Sequence, residues 1–179
     1  MKQVKAEETK ATLCSDQLLW DVALELLRKG HTLELLATGT SMSPFIRNKD
    51  VIGVRPCNAT EVRFGDIILY ATSSDLMSSP KRVHRFIKRS LVNGKSTLLT
   101  KGDAMAWLDP PVGPDQVLGK VSTIKKGRRT LHLNQPWGKA VNLASVLFHR
   151  WPLSRAGIHA GYKVVKVVLS LPRTALFGS

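Results

Sequence analysis

Ser41 lies in the heptapeptide Thr38-Gly39-Thr40-Ser41-Met42-Ser43-Pro44, between an apolar run (Leu33, Leu35, Leu36) and a charged turn (Arg47, Asn48, Lys49, Asp50). Small hydroxyl residues around a glycine, closed by a proline, suit a tight exposed bend rather than the interior of a helix or strand. Such a bend is a plain loop in most proteins, yet it can also present a serine hydroxyl to a cleft as a nucleophile. Peptide hydrolysis by a serine then needs a base for its proton and donors for the oxyanion. Other chemistries find little support. His31, His84, His132, His149 and His159 are scattered without the ligand spacing of a zinc site, so no metal is expected. No glycine loop that would cradle phosphate is present, and no cofactor is expected.

Three further stretches follow in order. Gly65-Asp66-Ile67-Ile68-Leu69-Tyr70 opens a strand, Arg82-Val83-His84-Arg85 lies in another, and Leu99-Thr100-Lys101-Gly102-Asp103 precedes Asp109. With the Ser-Met-x-Pro box they resemble the successive boxes of the signal peptidase superfamily of serine endopeptidases, which also includes the LexA-type self-cleaving repressors. The resemblance runs from about Leu33 to Val121, roughly half the chain.

Several expectations follow from that resemblance. Ser41, which precedes the methionine, is the nucleophile; Ser43, next to Pro44, stabilises the bend, and Met42 packs beneath it. Many members use a lysine as base. A lysine must be desolvated to be neutral near pH 7, whereas histidine already titrates there. The histidine at position 84 resembles the endoplasmic-reticulum and archaeal branch, which also carries acidic residues in the Lys-Gly-Asp box. Asp103 and Asp109 lie six apart, as in that branch. Asp109 is assigned to orient His84, with Asp103 holding the loop or sharing the role. Lys81 is the alternative base; three positions from His84 on a strand, it points to the opposite face. The Ser41 backbone N–H is one oxyanion donor, and Thr40 or Thr38 supplies a second through a hydroxyl. The box has Gly39 one place earlier than the common Ser-Gly-Ser-Met form, which leaves that second donor open. Trp107 either walls the cleft or covers the core.

These residues need a scaffold. At 179 residues the chain can bury a substantial core, and one domain is the default. A helix is expected from Ser15, a plausible N-cap, to Gly30, with Gln17, Asp21, Glu25 and Arg28 as its polar stripe. Leu18, Leu19, Val22, Ala23, Leu26 and Leu27 fill the remainder, so the helix is expected to be largely buried. Strands are expected at 32–38, 50–55, 65–72, 81–90, 95–101, 116–125 and 128–134, with Asn93-Gly94 as a type I′ hairpin turn and Gly127 between the last two. Many short strands with close turns predict a mainly β fold, a partly closed antiparallel sheet or barrel, rather than βαβ units. The expected organisation is a polar tail (1–14), a catalytic unit with its leading helix (15–134) and a basic amphipathic helical hairpin (135–179).

Charge separates the partner classes. Lys and Arg number 27 against 13 Asp and Glu, a net +14, and eleven basic residues but no acidic one follow Asp115. Such a surface attracts phosphate, of nucleic acid or of anionic lipid. Only one helix fits between Ser15 and Gly30, so no recognition helix for DNA is found and no specific nucleic acid is expected. Residues 136–173 place a basic stripe beside an apolar one, which suits either an anionic membrane surface or packing on the β core. The N-terminus lacks the apolar stretch of a signal peptide, and no run reaches the roughly 18 uncharged apolar residues of a membrane span. The expected location is therefore cytoplasmic or peripheral on a membrane. Cys14 and Cys57 match no redox or metal spacing and read as free thiols. The expected function is a serine endopeptidase acting on a precursor polypeptide. A LexA-like self-cleaving regulator and a non-catalytic peptide-binding module are the alternatives.

Overall fold

A computed structural model describes residues 18–135 together with Ala140 and Asn142. The polar tail, Cys14 and the proposed N-cap lie outside the described residues. So does the expected C-terminal hairpin, apart from Ala140 and Asn142, which are helical.

The first element, α1, covers residues 18–28. It ends where Gly30 takes a φ of +88°, with Gly30 N–H donating to Leu27 O and His31 N–H to Leu26 O, both at 3.0 Å. That pair of bonds is a Schellman cap, which satisfies carbonyls the helix would otherwise leave open. The expectation of a largely buried helix is corrected. Leu24 and Leu27 are buried and Trp20 packs on the same core, but Leu18, Leu19 and Val22 are 64, 67 and 53% exposed. Positions 20, 24 and 27 form a single stripe at helical spacing, which carries the buried apolar side chains of the helix, with Trp20 and Leu27 on the first core.

Seven strands follow: β1 Leu33–Leu36, β2 Val51–Arg55, β3 Ile67–Ala71, β4 Lys81–Val92, β5 Lys95–Lys101, β6 Val117–Lys126 and β7 Arg129–His132. All pairings are antiparallel, in the order β1-β2-β6-β3-β4-β5. β3 and β7 pair with successive parts of β6, which holds β2 on its other edge. The β4–β5 hairpin turns at Asn93-Gly94, both with positive φ, as a type I′ turn requires.

The sheet is not closed, which corrects the partly closed barrel expected above. Among the described residues β1 pairs only with β2. The outer edge of β5 is met by a returning segment, Leu98 and Val112 exchanging N–H···O bonds of 2.8 and 2.9 Å. That bridge occupies the edge a closing strand would need.

β3 is buried along its whole length because both faces of the sheet are covered. Its side chains alternate between two cores. Ile67 and Leu69 join Leu27, Met42, Phe45, Ile46, Ile52 and Val54 on one side. Ile68 and Tyr70 join Val62, Phe86, Leu98 and Val112 on the other. Two cores therefore clamp β3 and the first half of β4, the part that carries His84.

Candidate active site

The bend bearing Ser41 is shaped by its own residues. Gly39 has a φ of +84°, Ser43 N–H donates to Thr40 O at 3.0 Å, and Ile46 N–H to Met42 O at 2.9 Å. The Ser43–Pro44 peptide bond is cis. Met42, Phe45 and Ile46 sink into the first core and leave Ser41 half-buried at its margin. Met42 is thus packing, as its position beside Ser41 predicts.

His84 reaches the bend from β4. It pairs in register with Ile68 and shares the face of Phe86 and the second core, so its ring is buried. Its Nε2 lies 3.0 Å from Ser41 Oγ, and its Nδ1 lies 2.7 Å from Asp109 Oδ2. A carboxylate only accepts hydrogen bonds, so Nδ1 carries the proton toward Asp109. In the neutral ring the Nε2 lone pair then faces the serine hydroxyl.

Asp109 comes from the segment after β5. Its backbone N–H donates to Thr100 O at 2.8 Å, and its Oδ2 also accepts from Thr100 Oγ1 at 2.8 Å. The half-exposed Arg82 guanidinium stands 3.8 Å from Oδ1. The Tyr70 hydroxyl lies 3.3 Å from Thr100 Oγ1, and burial pushes its pKa up to about 12, so it stays protonated.

The two aspartates separate cleanly. Asp103 does not touch His84. It is buried and takes Nε and Nη2 of Arg85 at 2.7 and 2.6 Å in a two-pronged pair. Arg85 Nη1 also donates to Gly65 O at 2.9 Å and to the Asn142 side chain, and the guanidinium lies over the Phe45 ring. Asp103 therefore ties the loop to β4, and no contact joins it to His84 among the described residues.

That loop presses on the site. Beyond β5, Ala104 N–H donates to Ser41 O at 2.8 Å. Gly102 packs so close that an added Cβ would sit 2.7 Å from Ser41 O and 3.1 Å from His84 Nε2. Gly102, Thr100 and Arg82 stand in the quoted boxes but carry no part in the sequence analysis, and Met105 is absent from it. The box itself was the available signal.

Lys81 lies on the rim. Its ammonium donates to Met77 O at 2.8 Å and stands 5.3 Å from the centre of the Trp20 ring, the side its strand position predicts. Partial desolvation lowers its pKa, against the pull of Asp21 and Asp75. No contact joins it to Ser41 or His84 among the described residues. Thr38 lines the cleft beside Gly39 and Ser41; Thr40 does not, and its carbonyl serves the turn. Trp107 neither walls the cleft nor covers the core, being 82% exposed. Met105 takes the lining position instead.

The cleft holds roughly 460 Å³. The end of β1 and the residues after it (Leu36, Ala37, Thr38) form one wall, and Arg82, Val83 and His84 form the other. Ile52 and Leu69 contribute an apolar floor. Among the described residues no cluster of His, Cys, Asp or Glu could hold a metal ion, and no helix is long and apolar enough to cross a membrane. Cys57 is a half-buried free thiol whose pKa burial raises. Compared with known proteins, the chain matches no protein-family model and no curated protein.

Proposed function

We propose that the chain is a serine endopeptidase, similar in its site to signal peptidases, acting on an extended segment of a precursor polypeptide. The observation that carries this reading is the unbroken hydrogen-bonded series from Ser41 Oγ through His84 to Asp109, opening into a cleft. In the proposed reaction Ser41 Oγ attacks the scissile carbonyl while His84 Nε2 takes its proton. Asp109 holds the ring in the Nδ1–H tautomer and stabilises the imidazolium that forms. His84 then protonates the leaving amine. Water, deprotonated by the same nitrogen, attacks the acyl-enzyme and releases the second product, returning Ser41 to its starting state.

The oxyanion needs donors outside this series. The Ser41 N–H, which has no acceptor among the described residues, is one. Between the hydroxyls of Thr38 and Thr40, the cleft position of Thr38 favours it as the second. Substrate geometry follows from the sheet. The outer edge of β1 is unpaired among the described residues, and β4 pairs with β5 only from Arg85 onward. An extended peptide laid between Leu36–Thr38 and Lys81–Val83 would find free backbone groups on both sides, a strand-addition mode of binding.

Ser41→Ala should abolish peptide cleavage, by at least about 10⁴-fold in kcat, with the fold intact. His84→Ala should match it, while Lys81→Ala should lose far less. Full cleavage by the Ser41→Ala protein would end this reading. Loss with the lysine change alone would move the base to Lys81.

A further inference from the structure

We propose that Thr100 is a positioning residue for the reaction, holding the Asp109 carboxylate in the orientation that presents Oδ2 to His84. The inference rests on the serine peptidase reading for its catalytic consequence, but its geometry stands apart from it. Asp109 belongs to no strand; it lies on the irregular segment between β5 and the Leu98–Val112 bridge. A carboxylate on such a segment turns easily about χ2 unless something fixes it. Thr100 fixes it twice, taking the Asp109 backbone N–H on its carbonyl and giving its own hydroxyl proton to Oδ2. Oδ2 thus accepts from Thr100 and from His84 Nδ1 together. Two other partners are in reach: the Tyr70 hydroxyl, which also hydrogen-bonds the Asp109 carboxylate, and Arg82, which is half-exposed and stands 3.8 Å from the opposite oxygen.

A buried threonine hydroxyl usually satisfies itself on a backbone carbonyl. Here the side chain has 0% exposure, and its acceptor is the carboxylate instead. Thr100 has one proton, within reach of both Oδ2 at 2.8 Å and the Tyr70 hydroxyl at 3.3 Å, and the shorter bond goes to the carboxylate; Tyr70 gives its own proton to Asp109 as well. Tyr70 and Thr100 thus converge on Asp109 from the second core, and the series continues through His84 to Ser41. The rest of β5 anchors it, since Phe86 and Thr100 pair in register on the face that carries His84.

The test compares Thr100→Val, which keeps the shape and removes the hydroxyl, with Thr100→Ser, which restores it. Three quantities are read in the full chain: kcat and KM on a cleaved peptide, the thermal midpoint, and the His84 Nδ1–H proton resonance by NMR. Thr100→Val should lower kcat about 10–100-fold with KM within about twofold, the range for losing one hydrogen bond to a charged group. It should also broaden the Nδ1–H resonance away, and Thr100→Ser should recover both. Should the valine protein not fold, Thr100→Ala gives the same readouts. A Thr100→Val protein that keeps kcat and the resonance overturns the proposal; so does a serine variant as impaired as valine, which would mark a packing role. If the native chain cleaves no peptide, the peptidase reading fails, while the resonance still decides whether Thr100 holds Asp109.

Discussion

Gly102→Ala is the change that most directly probes how closely the β5 loop is fitted to the site. The position has no left-handed φ, so alanine brings no backbone strain, and its effect comes from the added methyl alone. That methyl would meet Met105 Cγ and Ser41 O at 2.7 Å and His84 Nε2 at 3.1 Å, against the ordinary van der Waals separation of about 3.5 Å. Met105 can swing aside. Ser41 O is a backbone atom already bonded to Ala104 N–H at 2.8 Å, so relief must come from parting the loop and the bend. A shift of roughly 0.5–0.8 Å restores normal contact and lengthens the 3.0 Å Ser41–His84 bond toward the limit of hydrogen bonding. Overpacking of this kind costs about 1–3 kcal/mol of stability. A misplacement approaching 1 Å at reacting groups costs up to about 100-fold in rate, so kcat/KM should fall some 10- to 100-fold. Thermal unfolding and peptide hydrolysis, run on the same preparation, read both. A Gly102→Ala protein with native stability and native kcat/KM would refute the close fit on which the site geometry rests.

Other outcomes follow from the same geometry. Asp103→Asn should cost about 3–5 kcal/mol in urea unfolding, because it removes the carboxylate that compensates the buried Arg85 charge; a loss under about 1 kcal/mol would mean the pair is dispensable. Tyr70 ionises in the unfolded chain near pH 10 but in the folded one only at about 12. Its contribution is therefore complete below pH 10 and is lost as pH rises toward 12, a fall of roughly 2–3 kcal/mol. Urea midpoints at pH 9 and 11.5 should show a smaller drop for Tyr70→Phe than for the native chain, and equal drops would contradict the shift.

Much of the scaffold was legible because its signals are local. Gly30, Asn93-Gly94 and Gly127 adopt the positive φ that their turns require, and these fixed the end of α1 and both hairpins to within a residue or two. The strand β3 was legible from its apolar run, but its burial on both faces emerged only in the fold. Ser41, His84 and Asp109 were legible only as residues in ordered boxes; their contact depends on how the bend, β4 and the β5 loop converge. What failed was non-local. The apolar content of α1 suggested burial, but Leu18, Leu19 and Val22 stay exposed and the buried apolar side chains are those of the 20, 24 and 27 stripe. Closure of the sheet could not be read because the Leu98–Val112 bridge joins residues with no sequence signature. Asp103 and Asp109 look alike along the chain, and only the burial of Arg85 against Gly65 O and Phe45 assigns one to structure and leaves the other for His84. Thr100 escaped notice because a threonine in a strand ordinarily reports β propensity alone.

The central claim is that His84, held by Asp109, activates the Ser41 hydroxyl. It is tested most directly by treating the native chain and its His84→Ala variant with a serine-directed phosphonate and locating any adduct by peptide mass spectrometry. A single adduct on Ser41 of the native chain, absent from the variant, is the predicted result. No adduct on Ser41, or equal labelling of it without the imidazole, would contradict the account.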